Sequence, residues 1–121
     1  MSVNTVLLLE EHGVHIVSFH RDEQGLANVD LVRSFFASDF LKCTNGLRRL
    51  VIDLAGVATL DSASLGPLVQ KLREIQELKG QLALAGVDSP ALREIFALTR
   101  FDKVFAIYRT RAEAIAAVRN P

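Results

Sequence analysis

Short apolar, β-prone runs alternate with helical apolar stripes along almost the whole chain, and that alternation requires a sheet buried under helices. Thr5 to Glu10 and Val14 to Phe19 flank Glu11, His12 and Gly13, a spacing that predicts an opening hairpin. Asn28 is placed to cap a helix in which Val32, Phe35, Phe36 and Phe40 recur at helical spacing, with Asn45-Gly46 as its stop. Leu47 to Leu54 reads as a strand whose second half is apolar except for Asp53, the pattern of a sheet interior. Leu65, Leu68, Val69, Leu72 and Ile75 mark the inner stripe of a helix that closes near Lys79-Gly80. Leu82 to Ala85 is a further buried strand, and Ser89-Pro90 opens a helix whose Leu92, Ile95 and Phe96 face inward. Val104 to Tyr108 is the expected last strand. Thr110 with Glu113 matches a capping box ahead of an Ala- and Val-rich terminal helix.

The expected order is ββαβαβαβα, an α/β fold with a mixed sheet of about five strands and about four helices. Crossover connections make parallel pairs, and the hairpin adds an antiparallel one. A chain of 121 residues has room for one core, so residues 1–121 are expected to form a single domain.

Fourteen Lys and Arg balance fourteen Asp and Glu, for a formal net charge of zero. That removes the basic excess with which a dedicated nucleic-acid binder holds phosphate backbones. The single cysteine, Cys43, has no partner for an internal disulfide or a CxxC metal or redox motif, and the expected compartment is the reducing cytoplasm. Met1 to Glu11 lacks the basic-then-apolar pattern of a secretory signal, and no run approaches the roughly 18–20 apolar residues of a membrane span. No membrane insertion is expected.

The segment Val51 to Gly66 concentrates the polar groups that could carry function: a strand ending in Asp53, a tight turn, then Asp61, Ser62 and Ser64 at a helix start. Pro67 would clash with the carbonyl four residues earlier if it lay deep in that helix. With Ser64 as the N-cap, Pro67 falls in the first turn and Ser62 lies just before the helix, within reach of solvent. A helix start presents unpaired N–H groups and the positive end of the dipole, and therefore tolerates an added phosphate. A serine at such a place commonly serves only as a cap.

Other chemistries find less support. On the expected strand His15 and His20 face opposite sides of the sheet, which separates them as metal ligands, so neither a metal nor another cofactor is expected. Leu60-Asp61-Ser62-Ala63-Ser64 lacks both glycines of a hydrolase nucleophile elbow, and no phosphate-cradling GxxxxGK[ST] loop exists. The phenylalanines lie on apolar stripes rather than among basic side chains, as core residues do.

Val51 to Gly66 resembles the signature of the STAS domain family, the bacterial anti-sigma factor antagonists, whose pattern is an apolar strand ending in Asp or Asn followed by D-S-x-G-L-G. Asp53 matches the strand acid, Asp61-Ser62 the Asp-Ser pair, and Leu65-Gly66 the closing Leu-Gly. Ser89-Pro90-Ala91-Leu92 with Phe96, Phe101, Val104, Phe105 and Glu113-Ala114 is similar to the family's third helix and last strand. The sequence departs from the pattern at Ser64, where the family has glycine. It departs again at Phe19-His20-Arg21-Asp22-Glu23, where Asp22 stands in for the acid of the family's G-x-L-D.

The resemblance implies a single-domain STAS fold and a partner switch rather than an enzyme. In such a switch an anti-sigma factor that is also a serine kinase phosphorylates the residue after the aspartate, here Ser62. The dephosphorylated form binds the kinase and frees a sigma factor, and a phosphatase restores that form. Asp61, Asp53, Ser64, Gly66 and Asp22 are then the expected partner-binding positions around Ser62, with the two aspartates 53 and 61 as its acidic neighbours and Gly66 admitting close approach. The second expectation is a STAS adaptor without a phosphate cycle, holding a transport or signalling assembly.

Overall fold

A computed structural model describes residues 6–119. Strands β1 (Val6–Glu11) and β2 (Val14–Phe19) form the expected hairpin, and Thr5, the expected first residue of β1, lies outside the described residues. The turn residues His12 and Gly13 both take positive φ, 55° and 79°, as a two-residue loop needs if its twist is to match the strands it joins. Strands β3 (Arg49–Asp53), β4 (Gln81–Ala85) and β5 (Ala106–Tyr108) extend the sheet in the order β1-β2-β3-β4-β5. Only the β1–β2 pair is antiparallel, so the sheet is mixed as expected.

Side-chain alternation divides the molecule into two layers. Leu50, Ile52, Leu82 and Leu84 face the larger core, which is closed by the helices of the three crossovers. Val51, Ala83 and Ala85, with Val14 and Ile16, face the opposite side and pack under Ala114, Ile115 and Val118 of α6 (Arg111–Arg119). Thr110 and Glu113 close the predicted capping box at the start of α6: the Thr110 N–H donates to Glu113 Oε1 at 3.3 Å, and the Glu113 N–H to Thr110 Oγ1 at 3.2 Å.

The first crossover differs from the single helix expected. It consists of α1 (Val29–Ser34), a π turn (Phe35–Asp39) and α2 (Phe40–Cys43). At about 100° per residue an α-helix would point Phe35 and Phe40 in different directions. The wider turn, in which the Phe40 N–H donates to the Phe35 carbonyl, lets Phe35, Phe36 and Phe40 all enter the core, with ring centroids 5.1–5.9 Å apart. Asn28 caps α1 as expected, its Oδ1 accepting from the Leu31 N–H at 2.8 Å.

The second crossover is α3 (Ser62–Glu77) and the third is α4 (Pro90–Leu98), capped by Ser89, followed by the single turn α5 (Phe101–Val104). Val104 was expected to begin the last strand. It ends α5 instead, because the Phe105 N–H bonds the Phe101 carbonyl at 2.9 Å and their rings lie 5.6 Å apart, which holds this segment helical and shortens β5 to Ala106–Tyr108.

Candidate functional site

The start of α3 is built by Asp61. Its backbone is extended, and its Oδ1 accepts from the Ser64 N–H at 3.2 Å and from the Ser64 hydroxyl at 3.3 Å. Asp61, not Ser64, is therefore the N-cap, and the helix begins three residues earlier than expected. Ser62 becomes the first helical residue. It is exposed, and it stands beside N–H groups that have no helical acceptor because they lie in the first turn.

The earlier start has two consequences. Ser64 is 1% exposed, with its hydroxyl turned to Asp61, so it cannot serve as a contact residue for a partner in this conformation. Pro67 lies at the sixth helical position rather than in the first turn, so the carbonyl four residues before it, that of Ala63, has no N–H to accept from along the helix. The turn carrying Ser62 is tied less firmly to the body of α3 for that reason. The expected role of Gly66 also narrows: it is exposed and a Cβ there would meet nothing within 4 Å, so no contact inside the chain demands glycine.

Asp61 has a second partner that sequence reasoning missed. Its Oδ2 accepts from Arg33 Nε on α1 at 3.0 Å, and Arg33 also lies 3.6 Å from the carboxylate of Asp30. The helical spacing of Asp30 and Arg33 was visible in the sequence, but the contact across 28 residues to Asp61 was not. Arg33, Asp61 and Ser64 line a small cleft of about 80 Å³ between α1 and α3, floored by Val32 and Leu60.

Asp53 is not an acidic neighbour of Ser62. It shares the parity of Val51 and so emerges on the α6 side of the sheet, whereas α3 packs on the other side. There its Oδ2 accepts from Arg111 Nε at 2.8 Å and its Oδ1 from the Ala55 N–H at 3.0 Å. Gly86 on the adjacent chain segment has positive φ, and a Cβ there would come within 2.7 Å of that carboxylate, so the approach requires glycine.

Asp22 accompanies Asp53 rather than Ser62. Both line a cavity of about 470 Å³ together with Ser18, His20, Arg21 and Arg111. Asp22 organises the loop beyond β2: its Oδ1 accepts from the Gln24 and Leu26 N–H groups, each at 2.9 Å. The Ala27 N–H then bonds the Gly56 carbonyl at 2.9 Å, which ties this loop to the turn leading into α3.

Beyond these two places, Lys71 of α3 is 1% exposed, its ammonium donating to the Thr44 carbonyl at 3.0 Å and pairing with Glu74 at 2.8 Å. That ammonium beside it holds the Glu74 carboxyl below its ordinary value. Partial burial pushes the Cys43 thiol up, which keeps the reactive thiolate scarce at neutral pH. His15 pairs loosely with Glu10 at 3.9 Å, and among the described residues no group of three His, Cys, Asp or Glu converges to hold a metal. No helix among the described residues is long and apolar enough to cross a membrane.

Known proteins share this fold. The profile of the STAS domain matches residues 10–114. A solved anti-sigma-factor antagonist (STAS) domain protein from Planctomyces limnophilus is 32% identical, with 93% of this chain and 97% of that chain covered and a TM-score of 0.76. A solved anti-sigma factor antagonist from Mycobacterium paratuberculosis is 28% identical, with 96% and 94% covered and a TM-score of 0.74. The anti-sigma factor antagonist SpoIIAA in its unphosphorylated form shares the fold at 16% identity, with 97% and 100% covered and a TM-score of 0.59. The profile match takes in the end of β1, strands β2 to β5 and the Asp61-Ser62 helix start, and the chain belongs to the STAS domain family.

Proposed function

We propose that the protein is a cytoplasmic anti-sigma factor antagonist whose binding to an anti-sigma factor kinase is switched by phosphorylation of Ser62. The observation that carries this reading is the exposure of Ser62 as the first residue of a helix whose cap is supplied by its neighbour Asp61. The Ser62 hydroxyl is thus not needed to cap the helix and is left for chemistry. Ser64, the departure from the family's glycine, supports the reading as well, because its side chain turns inward and puts no obstacle before an approaching kinase.

In the proposed step the Ser62 oxygen forms a bond to the γ-phosphorus of ATP held by the kinase. The bond from that phosphorus to the bridging oxygen breaks, ADP leaves, and the hydroxyl proton passes to a base of the kinase. The product carries about −1.5 to −2 charges at pH 7. Local structure accepts this at the positive end of α3. A docked surface does not, since an uncompensated charge across an interface costs several kcal/mol, about a hundredfold or more in affinity. The protein acts by this change of partner and not by catalysis, with a phosphatase resetting Ser62. The exposed first turn, with Asp61 and Gly66 beside Ser62, supplies the contact surface.

The test is a pull-down with the anti-sigma factor kinase, with and without ATP, followed by mass spectrometry of Ser62. Ser62→Ala is expected to keep binding and take up no phosphate, and Ser62→Asp to bind more weakly. Co-purification that ignores ATP and leaves Ser62 unmodified would contradict the proposal and support a phosphate-free adaptor.

A further inference from the structure

We infer that Arg33 reads the phosphorylation state of Ser62 by leaving the carboxylate of Asp61 for the new phosphate, an inference that rests on the reading of Ser62 as the phosphorylated residue. The two oxygens of Asp61 are divided between two tasks: Oδ1 holds the cap through the N–H and hydroxyl of Ser64, and Oδ2 holds Arg33 Nε at 3.0 Å. Arg33 can therefore depart without uncapping α3. Its other contact, to Asp30 at 3.6 Å, is a long pair with a carboxylate that is 91% exposed, and it restrains the guanidinium weakly.

Charge decides the direction of the exchange. The charged groups joined at this contact are Asp61, Arg33 and, through Arg33, Asp30, a trio with one net negative charge. The remaining walls of the cleft include Val29, Val32, Thr59 and Leu60, which carry none. Among the described residues Arg33 is the one cation paired with Asp61. Phosphate on Ser62 adds up to about two negative charges one residue along the chain from Asp61. A guanidinium binds a phosphate through two parallel N–H donors, whereas it gives Asp61 its single Nε–H. The phosphate is thus the stronger acceptor. Because Arg33 is anchored on α1, its movement makes α1 part of the surface that changes between the two forms.

The test uses the full chain with phosphoserine inserted at 62 during translation, so no kinase is required. Titration of the phosphorus NMR signal measures the second ionisation of the phosphate, ordinarily near pH 6. With Arg33 present the midpoint is expected to lie lower than in Arg33→Ala by about half a pH unit or more, with Arg33→Lys in between. The Arg33 Nε–H signal of the unsubstituted chain is expected to shift on phosphorylation while the amide spectrum of α3 stays dispersed. Coincident midpoints in the three chains, with an unmoved Nε–H signal, would overturn the role of Arg33. A kinase that leaves Ser62 unmodified would instead remove the parent proposal and leave this comparison standing.

Discussion

Arg111 Nε donates to Asp53 Oδ2 at 2.8 Å, so the first turn of α6 is bound to the end of β3 on the side of the sheet away from Ser62. The strand acid of the D-S motif is thereby a structural residue. Asp53→Ala is expected to cost about 2 kcal/mol, since it leaves the half-buried Arg111 side chain and the Ala55 N–H without their acceptor. Urea unfolding measures that loss. Phosphate uptake at Ser62 in the folded fraction is expected to be unchanged, and a selective loss of phosphorylation would return Asp53 to the switch.

Asp61 has the opposite character. Asp61→Ala removes the N-cap and is expected to lower stability by about 1 kcal/mol. Asp61→Asn retains a good capping oxygen but gives up the ion pair with Arg33, an exposed contact worth about 0.5 kcal/mol. Thermal unfolding should therefore rank the unsubstituted chain first, Asn a close second and Ala last. Equal losses in the two variants would show that the charge, not the cap, is what α3 requires.

Lys71 makes stability depend on pH. Its ammonium holds the folded-state Glu74 carboxyl below the ordinary value of 4.5, so the pair's contribution is full above that pH and is lost as pH falls through the lower folded value. Glu74→Gln should accordingly be less stable than the unsubstituted chain at neutral pH and approach it in acid. Lys71→Ala is expected to cost about 2–4 kcal/mol at neutral pH, because it opens a cavity and leaves the Thr44 carbonyl with the Leu47 N–H as its donor, and this cost persists in acid apart from the share of the Glu74 pair. Denaturant midpoints of the three chains between pH 3 and pH 7, on the order of the carboxylate range, check both statements.

Pro67 sits inside α3, just beyond the turn that carries Ser62. Pro67→Ala restores the N–H that the Ala63 carbonyl lacks and is expected to raise stability by about 1 kcal/mol or more. Slower amide exchange at Ser62 to Gly66 would locate the gain in the first turn. Unchanged exchange there would mean that the proline does not loosen it.

Elements announced by local chemistry were legible before any coordinates. Asn28, Ser89-Pro90 and the Thr110-Glu113 box each cap the helix expected of them, and His12-Gly13 makes the expected turn. What escaped was set by contacts distant in sequence. Phe35 and Phe40 look like an ordinary helical stripe until both must enter one core, which forces the π turn. Serine and aspartate are nearly equal as caps, so placing Pro67 in the first turn selected Ser64 over Asp61, and the cost of a proline at the sixth helical position was absorbed instead. Asp53 and Asp61 appear together in the motif, yet strand alternation sends one to α6 and the helix cap turns the other toward α1. The contacts of Arg33 with Asp61, Lys71 with Thr44 and Arg111 with Asp53 gave no signal, because these partners lie 28, 27 and 58 residues away.

The most direct measurement is calorimetric titration of the anti-sigma factor kinase, without ATP, into the unmodified chain and into the chain carrying phosphoserine at 62. The partner-switch account predicts that the phosphate weakens binding about a hundredfold or more. Equal affinity of the two forms would contradict it.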